Sequence, residues 1–267
     1  MSTNQITEQQ RQTWNKFSGG WRKWDQWVIN WLKPIGEKLL AEADLKKTDR
    51  VLDVSTGTGE PGLTAATRVA QVVATDVAED MVEIARKNAE TKGLRNFQVK
   101  VTDAEALPYS DNEFDAAICR LGVMYFANPA AGVKEMARVI KPGRKLALAA
   151  WSEPAKNPWA TTAAVVINQL LNLPTPASDA PGVFRCSRPG LLTELLVQAG
   201  MQEVNQIEIT GEGVFDSPEH YWKFVTDVVA PVATPLSKTD EATREQAKQA
   251  VMEATKSYQK DGKIIFP

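Results

Sequence analysis

An α/β fold with a doubly wound, mainly parallel sheet is what this chain predicts, on three observations. Between residues 50 and 151, short β-rich runs alternate with helical stretches, and such alternation implies βαβ crossover units. The first strand-to-helix junction reads "STGTGEPG", a glycine turn that lets a ligand approach the backbone closely. The composition, 43% hydrophobic and 24% charged over 267 residues, is that of an ordinary globular chain rather than a disordered one.

Taken in order, residues 5–45 have helical character, with a break or kink expected at Pro34, because proline lacks an amide donor and collides with the preceding turn. The strands expected next are "RVLDV", "AQVVATD", "FQVKV", "FDAAICRL" and "KLALAAW", with helices over 62–68, 80–92 and 130–140 between them. "KPGR" at 141–144 supplies a turn into the fifth strand. Beyond Trp151 the pattern predicts a Pro-rich connection, a helix near 158–172, and a loop over 173–182. A helix near 188–199 and a strand at "MQEVNQIEIT" come next, then two helical pieces over 217–260 separated near Pro231 and Pro235. "KIIFP" closes the chain as a short edge strand or the start of one. No internal repeat or low-complexity tract interrupts this order.

Charge and composition exclude several functions. A net charge of -2 provides no basic footprint for nucleic acid or an anionic membrane surface, and no apolar run reaches the ~18 residues of a membrane span. Cys119 and Cys186 are too few for a disulfide framework and fit a reducing cytosol, so a cytoplasmic protein is expected. His220 is the only histidine, which excludes a multi-histidine metal site; no metal is expected. Small molecules are the expected partners.

The glycine turn contains a literal G-x-G-x-x-G at Gly57, Gly59 and Gly62, and Asp76 follows Gly57 by 19 residues. Both features serve any adenosine cofactor. Asp53, at the end of the first strand, separates the alternatives: a carboxylate there repels a diphosphate and suits a cationic ligand. S-adenosylmethionine, with its ammonium and sulfonium, is such a ligand. Glu60 uses the positive end of the following helix, and Pro61 removes an amide that could hold phosphate. A carboxylate just past the third strand, in the stretch Asp103, Ala104, Glu105, is placed to accept a hydrogen bond from an adenine amino group.

The stretches "VLDVSTGTGE", "VVATDVAEDMVEIAR", "VTDAEALPYSDNEFDAAICRLGVMYF" and "EMARVIKPGRKLALAAW", in this order, resemble the class I S-adenosylmethionine-dependent methyltransferases, in particular the branch of the ubiquinone and menaquinone biosynthesis C-methyltransferases. The resemblance covers roughly residues 48–151. It implies a Rossmann-like, seven-stranded methyltransferase sheet with the last strand antiparallel, a helical lid or cap over 1–45, and a methyltransferase domain over 46–267 with a helical insertion at about 215–260. It implies further that Asp53 and the loop Ser55, Thr56, Gly57, Thr58, Gly59 hold the methionine part, that Asp76 holds the ribose hydroxyls, and that Val77 and Met81 flank the adenine. Asp103 and Ala104 address its amino edge; the backbone at Cys119 and Arg120 closes over the amino acid end. Ser55 departs from the family, which most often has glycine there.

Competing structural roles stand beside these. Asp76 is also placed to cap the helix beginning near Glu79, and Asp103 to cap a turn. Cys119 in an apolar strand is a natural core residue. Arg120 fits either a bound carboxylate or a surface ion pair. Trp24, Trp27 and Trp31 share one helical face suited to packing on the sheet, whereas Trp14, Phe17 and Trp21 around the flexible "FSGG" are lid candidates for acceptor contact. Trp151, Asn157 and Trp159 follow the fifth strand at the same sheet edge and are acceptor candidates or structural. His220 and Tyr221 are the weak candidates for a catalytic group. The expected chemistry is methyl transfer to a small aromatic or hydrophobic acceptor by in-line displacement. A nicotinamide-dependent oxidoreductase, opposed by Asp53 and by the absence of a Tyr-x-x-x-Lys pair, and a non-catalytic cofactor-binding module are the alternatives.

Overall fold

A computed structural model describes residues 2–175, 177 and 179–267; Pro176 and Ser178, within the loop expected at 173–182, lie outside the described residues. The elements are α1 (Thr3–Glu42), β1 (Arg50–Val54), α2 (Gly62–Ala66), β2 (Gln71–Asp76), α3 (Glu79–Thr91), β3 (Phe97–Val101), β4 (Phe114–Arg120), α4 (Pro129–Val139), β5 (Ile140–Ala149), α5 (Pro158–Leu170), α6 (Leu191–Gln198), β6 (Gly213–Phe215), α7 (Pro218–Val228), α8 (Ala230–Leu236), α9 (Glu241–Ala254), β7 (Gln259–Lys260) and β8 (Lys263–Phe266).

The central sheet has the order β3-β2-β1-β4-β5 and every pairing in it is parallel. β1 is therefore the middle strand, where burial on both faces favours apolar Val51, Leu52 and Val54 on either side of the chain. Alternation along the strands sends Val51, Val72, Ala74, Ala116 and Ile118 against α2, α3 and the end of α1, and Leu52, Val54, Ala117 and Cys119 against α4 and α6. The doubly wound architecture is as the pattern predicts.

The strand count is not. The parallel sheet has five strands, not seven. "KIIFP" forms β8, which pairs antiparallel with β6 and β7 in a separate three-stranded sheet. "MQEVNQIEIT" carries no strand: among the described residues, 202–212 make no backbone hydrogen bond. The region 217–260 contains three helices rather than two, since Pro231 opens α8 and Pro235 lies inside it.

α1 also departs from its expected form. It is a single helix of 40 residues that runs through Pro34 and through Phe17–Gly20, where a break and a flexible point are predicted from local sequence. Packing on either side of the proline overrides its cost: Leu32, Gly36, Leu39 and Leu40 are all buried. α1 supplies Leu39 and Leu40 to the core beneath the sheet and Trp24, Val28 and Leu32 to a second core built with α5, α7, α8, α9, Phe215, Ile264 and Phe266.

Candidate active site at the glycine loop

The loop after β1 turns by successive left-handed residues: Ser55 (φ 57°), Gly57 (φ 57°) and Gly59 (φ 118°). This conformation explains the glycine preference at the position of Ser55, whose Cβ carries the steric cost of left-handed backbone. Gly122 in turn is required because a Cβ there would overlap Ser55. Thr56 N–H donates to Thr75 O at 2.9 Å and Gly59 N–H to Thr56 O at 2.9 Å, which fixes the loop on β2. Beside Gly57 nothing lies within 4 Å of where a Cβ would stand, so the turn faces open space.

Asp76, at the end of β2, holds this loop from the side. Its Oδ2 accepts from Gly57 N–H at 2.9 Å and its Oδ1 from Ala78 N–H at 3.0 Å. Burial raises its pKa against these bonds. The helix α3 begins beyond Ala78 with no side-chain cap, so Asp76 organises the turn into α3 and the glycine loop together.

Asp53 and Arg120 face one another by register. Asp53 is aligned with Ile118 in the parallel β1–β4 pair, and Arg120, two residues further on, projects from the same face. Asp53 Oδ2 accepts from Thr56 Oγ1 at 2.7 Å and from Gly62 N–H at 3.1 Å, whereas Oδ1 is buried with no partner among the described residues. Burial pushes its carboxyl up to about 7, opposed by the Thr56 hydroxyl and the Arg120 charge. Arg120 makes no hydrogen bond or ion pair with the described residues, and burial lowers its pKa against the charges of Asp53, Glu60 and Asp25. Glu60 caps α2, its Oε2 accepting from Thr64 N–H at 3.1 Å and Thr64 Oγ1 at 2.7 Å.

The remaining predicted contacts fall around the same edge. Thr58 is buried, Val77 is half-buried and Met81 is buried. Asp103 Oδ1 accepts from Glu105 N–H at 2.9 Å, and its second oxygen has no partner among the described residues; Ala104 is buried beside it. The Cys119 side chain belongs to the core on the α4 side, where burial pushes its thiol up to about 12.

α1 roofs this edge. On the β2 side, Asn15 Nδ2 donates to Glu79 Oε2 at 2.8 Å, Asp80 N–H donates to Asn15 Oδ1 at 3.0 Å, and Arg11 reaches Glu79 at 3.2 Å. On the β4 side, Trp14 meets Tyr125, in the short helical turn after β4, edge-to-face at 4.9 Å. Because β1 lies between β2 and β4, a helix that touches both crosses over the β1 loop. Phe17 and Ser18 of α1 are themselves buried. Asp25, one turn beyond Trp21, accepts from Asn88 Nδ2 at 3.0 Å while Asn88 also donates to Thr58 O at 2.8 Å.

The other acceptor candidates lie elsewhere. Trp151, Asn157 and Trp159 line an open groove of about 1530 Å³ along β5, to which Asp53, the glycine loop and Asp76 contribute nothing. Asn157 Nδ2 is bound to Ser152 and Glu153, and Trp151 and Trp159 pack on Trp31. Tyr221 is fully buried, its hydroxyl donating to Trp159 O at 2.8 Å and accepting from Ala163 N–H at 3.2 Å. His220 Nδ1 accepts from Asp216 N–H at 3.1 Å, and its ring lies 4.9 Å from that of Trp24 in the second core. Two residues of the roofed edge escape sequence reasoning: Asp25, hidden among tryptophans in a helical pattern, and Tyr125, whose only signal is its place directly after β4.

Fold, glycine loop and strand-end acids together are those of a Rossmann-like methyltransferase fold. Residues 51–143 match the methyltransferase domain family. The chain is 40% identical over 117 residues to the demethylmenaquinone methyltransferase of Deinococcus radiodurans, a match covering 43% of this chain and 48% of that protein. It is 35% identical over 121 residues to an uncharacterized protein of Mycobacterium tuberculosis, covering 45% and 44% of the two chains. The chain thus spans about half the length of the curated relatives it matches. The crystal structure of the YcgJ protein of Bacillus subtilis, 22% identical, shares the fold over 79% of this chain and 86% of that one with a TM-score of 0.54. So does the (4+2)-cyclase SpnF, 22% identical with a TM-score of 0.50 over 87% and 78%; the fold alone therefore leaves the reaction open.

Proposed function

We propose that this chain transfers a methyl group from S-adenosylmethionine to a small, apolar or aromatic acceptor. One observation carries the reading: a buried carboxyl, Asp53, and a guanidinium, Arg120, share one face beside the open glycine loop, and among the described residues neither the carboxyl's Oδ1 nor the guanidinium has a partner. That pair fits the ammonium and the carboxylate of a zwitterionic amino acid. A diphosphate brought to the same place meets Asp53, Glu60 and Asp25 and is repelled across a poorly screened gap.

When bound, the cofactor supplies an electrophilic methyl group with its own leaving group, so no covalent enzyme intermediate is required. The protein's part is alignment and exclusion of water. The glycine loop, with Asp76 bracing Gly57, supports the reading that Ser55 to Gly59 hold the methionine portion and Asp76 the ribose hydroxyls. The second Asp103 oxygen supports adenine contact there, with Val77 and Met81 beside the ring. α1 supports the lid role of residues 1–45, since it crosses the site from both sides. No described helix is long and apolar enough to cross a membrane, and both cysteines are free thiols, which supports a cytoplasmic setting.

Calorimetry with S-adenosylmethionine, S-adenosylhomocysteine and NADH in parallel tests the assignment. Binding of the first two without the third is expected; NADH binding alone overturns it.

A further inference from the structure

Helix α3 begins without a cap of its own. Its N-cap position is Ala78, whose side chain accepts nothing from the first-turn amides, and the first amides of a helix have no intrahelical partner. Side chains from elsewhere fill the gap. Ala78 N–H donates to Asp76 Oδ1 at 3.0 Å, and Asp80 N–H donates at 3.0 Å to Oδ1 of Asn15, a residue of α1 that lies 65 positions earlier. Asn15 Nδ2 donates in turn to Glu79 Oε2 at 2.8 Å, so the side-chain amide is held at both ends and its oxygen is kept on Asp80. Arg11, Asn15 and Ser18 share one face of α1 by their spacing, and all three meet this turn: Arg11 reaches Glu79 Oε1 at 3.2 Å, and Ser18 Oγ donates to Asp80 Oδ2 at 3.4 Å. The turn so capped is the one that fixes Asp76, whose other oxygen holds Gly57 N–H.

We propose that Asn15 is a positioning residue for the cofactor: α1 supplies the cap that α3 lacks, and through the Asp80 amide it keeps Asp76 and the first turn of α3 in the geometry that receives the nucleoside. The inference rests on the methyl-transfer reading and deepens it. With the cap removed, the first turn of α3 frays into water, Asp76 loses the fixed Ala78 amide, and the cofactor must draw the turn back before it is held. Docking of α1 and binding of the cofactor therefore favour one another, since each gains from the same ordered turn.

Calorimetry of the full chain with S-adenosylhomocysteine, combined with hydrogen exchange at the Asp80 amide, tests this. Asn15→Ala removes the cap; it is expected to speed exchange at Asp80 and to weaken S-adenosylhomocysteine about fivefold, the ratio that one cap of roughly 1 kcal/mol sets. Arg11→Ala takes an exposed ion pair from the same face of α1 and leaves the cap, so its affinity is expected to stay within about twofold of the wild type. Asn15→Asp combined with Glu79→Gln puts an acceptor back at Asp80 and exchanges donor and acceptor in the side-chain pair, and is expected to restore both affinity and slow exchange. An Asp80 amide that exchanges no faster in Asn15→Ala, an undiminished affinity there, an equal loss in Arg11→Ala, or a double variant as weak as Asn15→Ala overturns the proposal. A wild type that does not bind S-adenosylhomocysteine sinks the methyl-transfer reading itself, and this inference with it.

Discussion

Asp76 bonds to the amides of Gly57 and Ala78 at once, so its loss removes more than a ribose contact. Asp76→Ala is expected to weaken S-adenosylmethionine binding by at least tenfold in calorimetry while the far-ultraviolet spectrum is kept; unchanged affinity would contradict a ligand role. Asp53 offers a pH test. Its carboxyl is raised from 3.8 to about 7 by burial, so the folded chain holds a proton that the unfolded chain releases. Stability of the cofactor-free protein must then be full below the unfolded value and fall as pH rises from 3.8 through about 7. Cofactor affinity runs the other way, weakening about tenfold per pH unit below the folded pKa if the anion is the binding form. Asp53→Asn should flatten both profiles, readable by thermal melts and calorimetry across pH. Asp53 and Asp76 were legible in the sequence because strand ends and the glycine turn fix their positions. Asp25 and Tyr125 were not, since their places depend on how a distant helix crosses the sheet.

Among the elements, α1 has the most uneven support. Its second half is built into two cores, and its first half rests on polar contacts to Glu79 and Asp80 and on Trp14 and Phe17. Gly19 and Gly20 stand between the halves with opposite surroundings: nothing lies near a Cβ at Gly19, whereas one at Gly20 overlaps the carbonyl oxygen of Asp227 on α7. Gly19→Ala should therefore raise stability by about 0.5–1 kcal/mol through helix propensity, and Gly20→Ala should lower the melting temperature by several degrees. Equal effects in thermal melts would show that the α1–α7 approach is unimportant. Local sequence misplaced a break at Pro34 for a physical reason: propensity speaks for an isolated helix, and burial on both sides of the proline decides here.

For the whole molecule, the five-stranded sheet leaves β5 with one unpaired side, facing residues 202–212 across the open groove. Those residues alternate like a strand, with Ile207 and Ile209 both exposed, and local pattern cannot tell whether a partner edge is within reach. That is why the sheet's centre was readable and its rim was not. Hydrogen exchange should find amides 203–212 exchanging at near-unprotected rates while those of β1 exchange slowest; protection of both alike would show that 203–212 are paired. A bare rim of this kind invites strangers. Lys141 is engaged with Asp115 and Arg144 with Asp49, so Lys145 is the one cation of the strand without an ion pair among the described residues. Lys145→Leu is therefore expected to promote association through this edge, visible as turbidity growing with concentration.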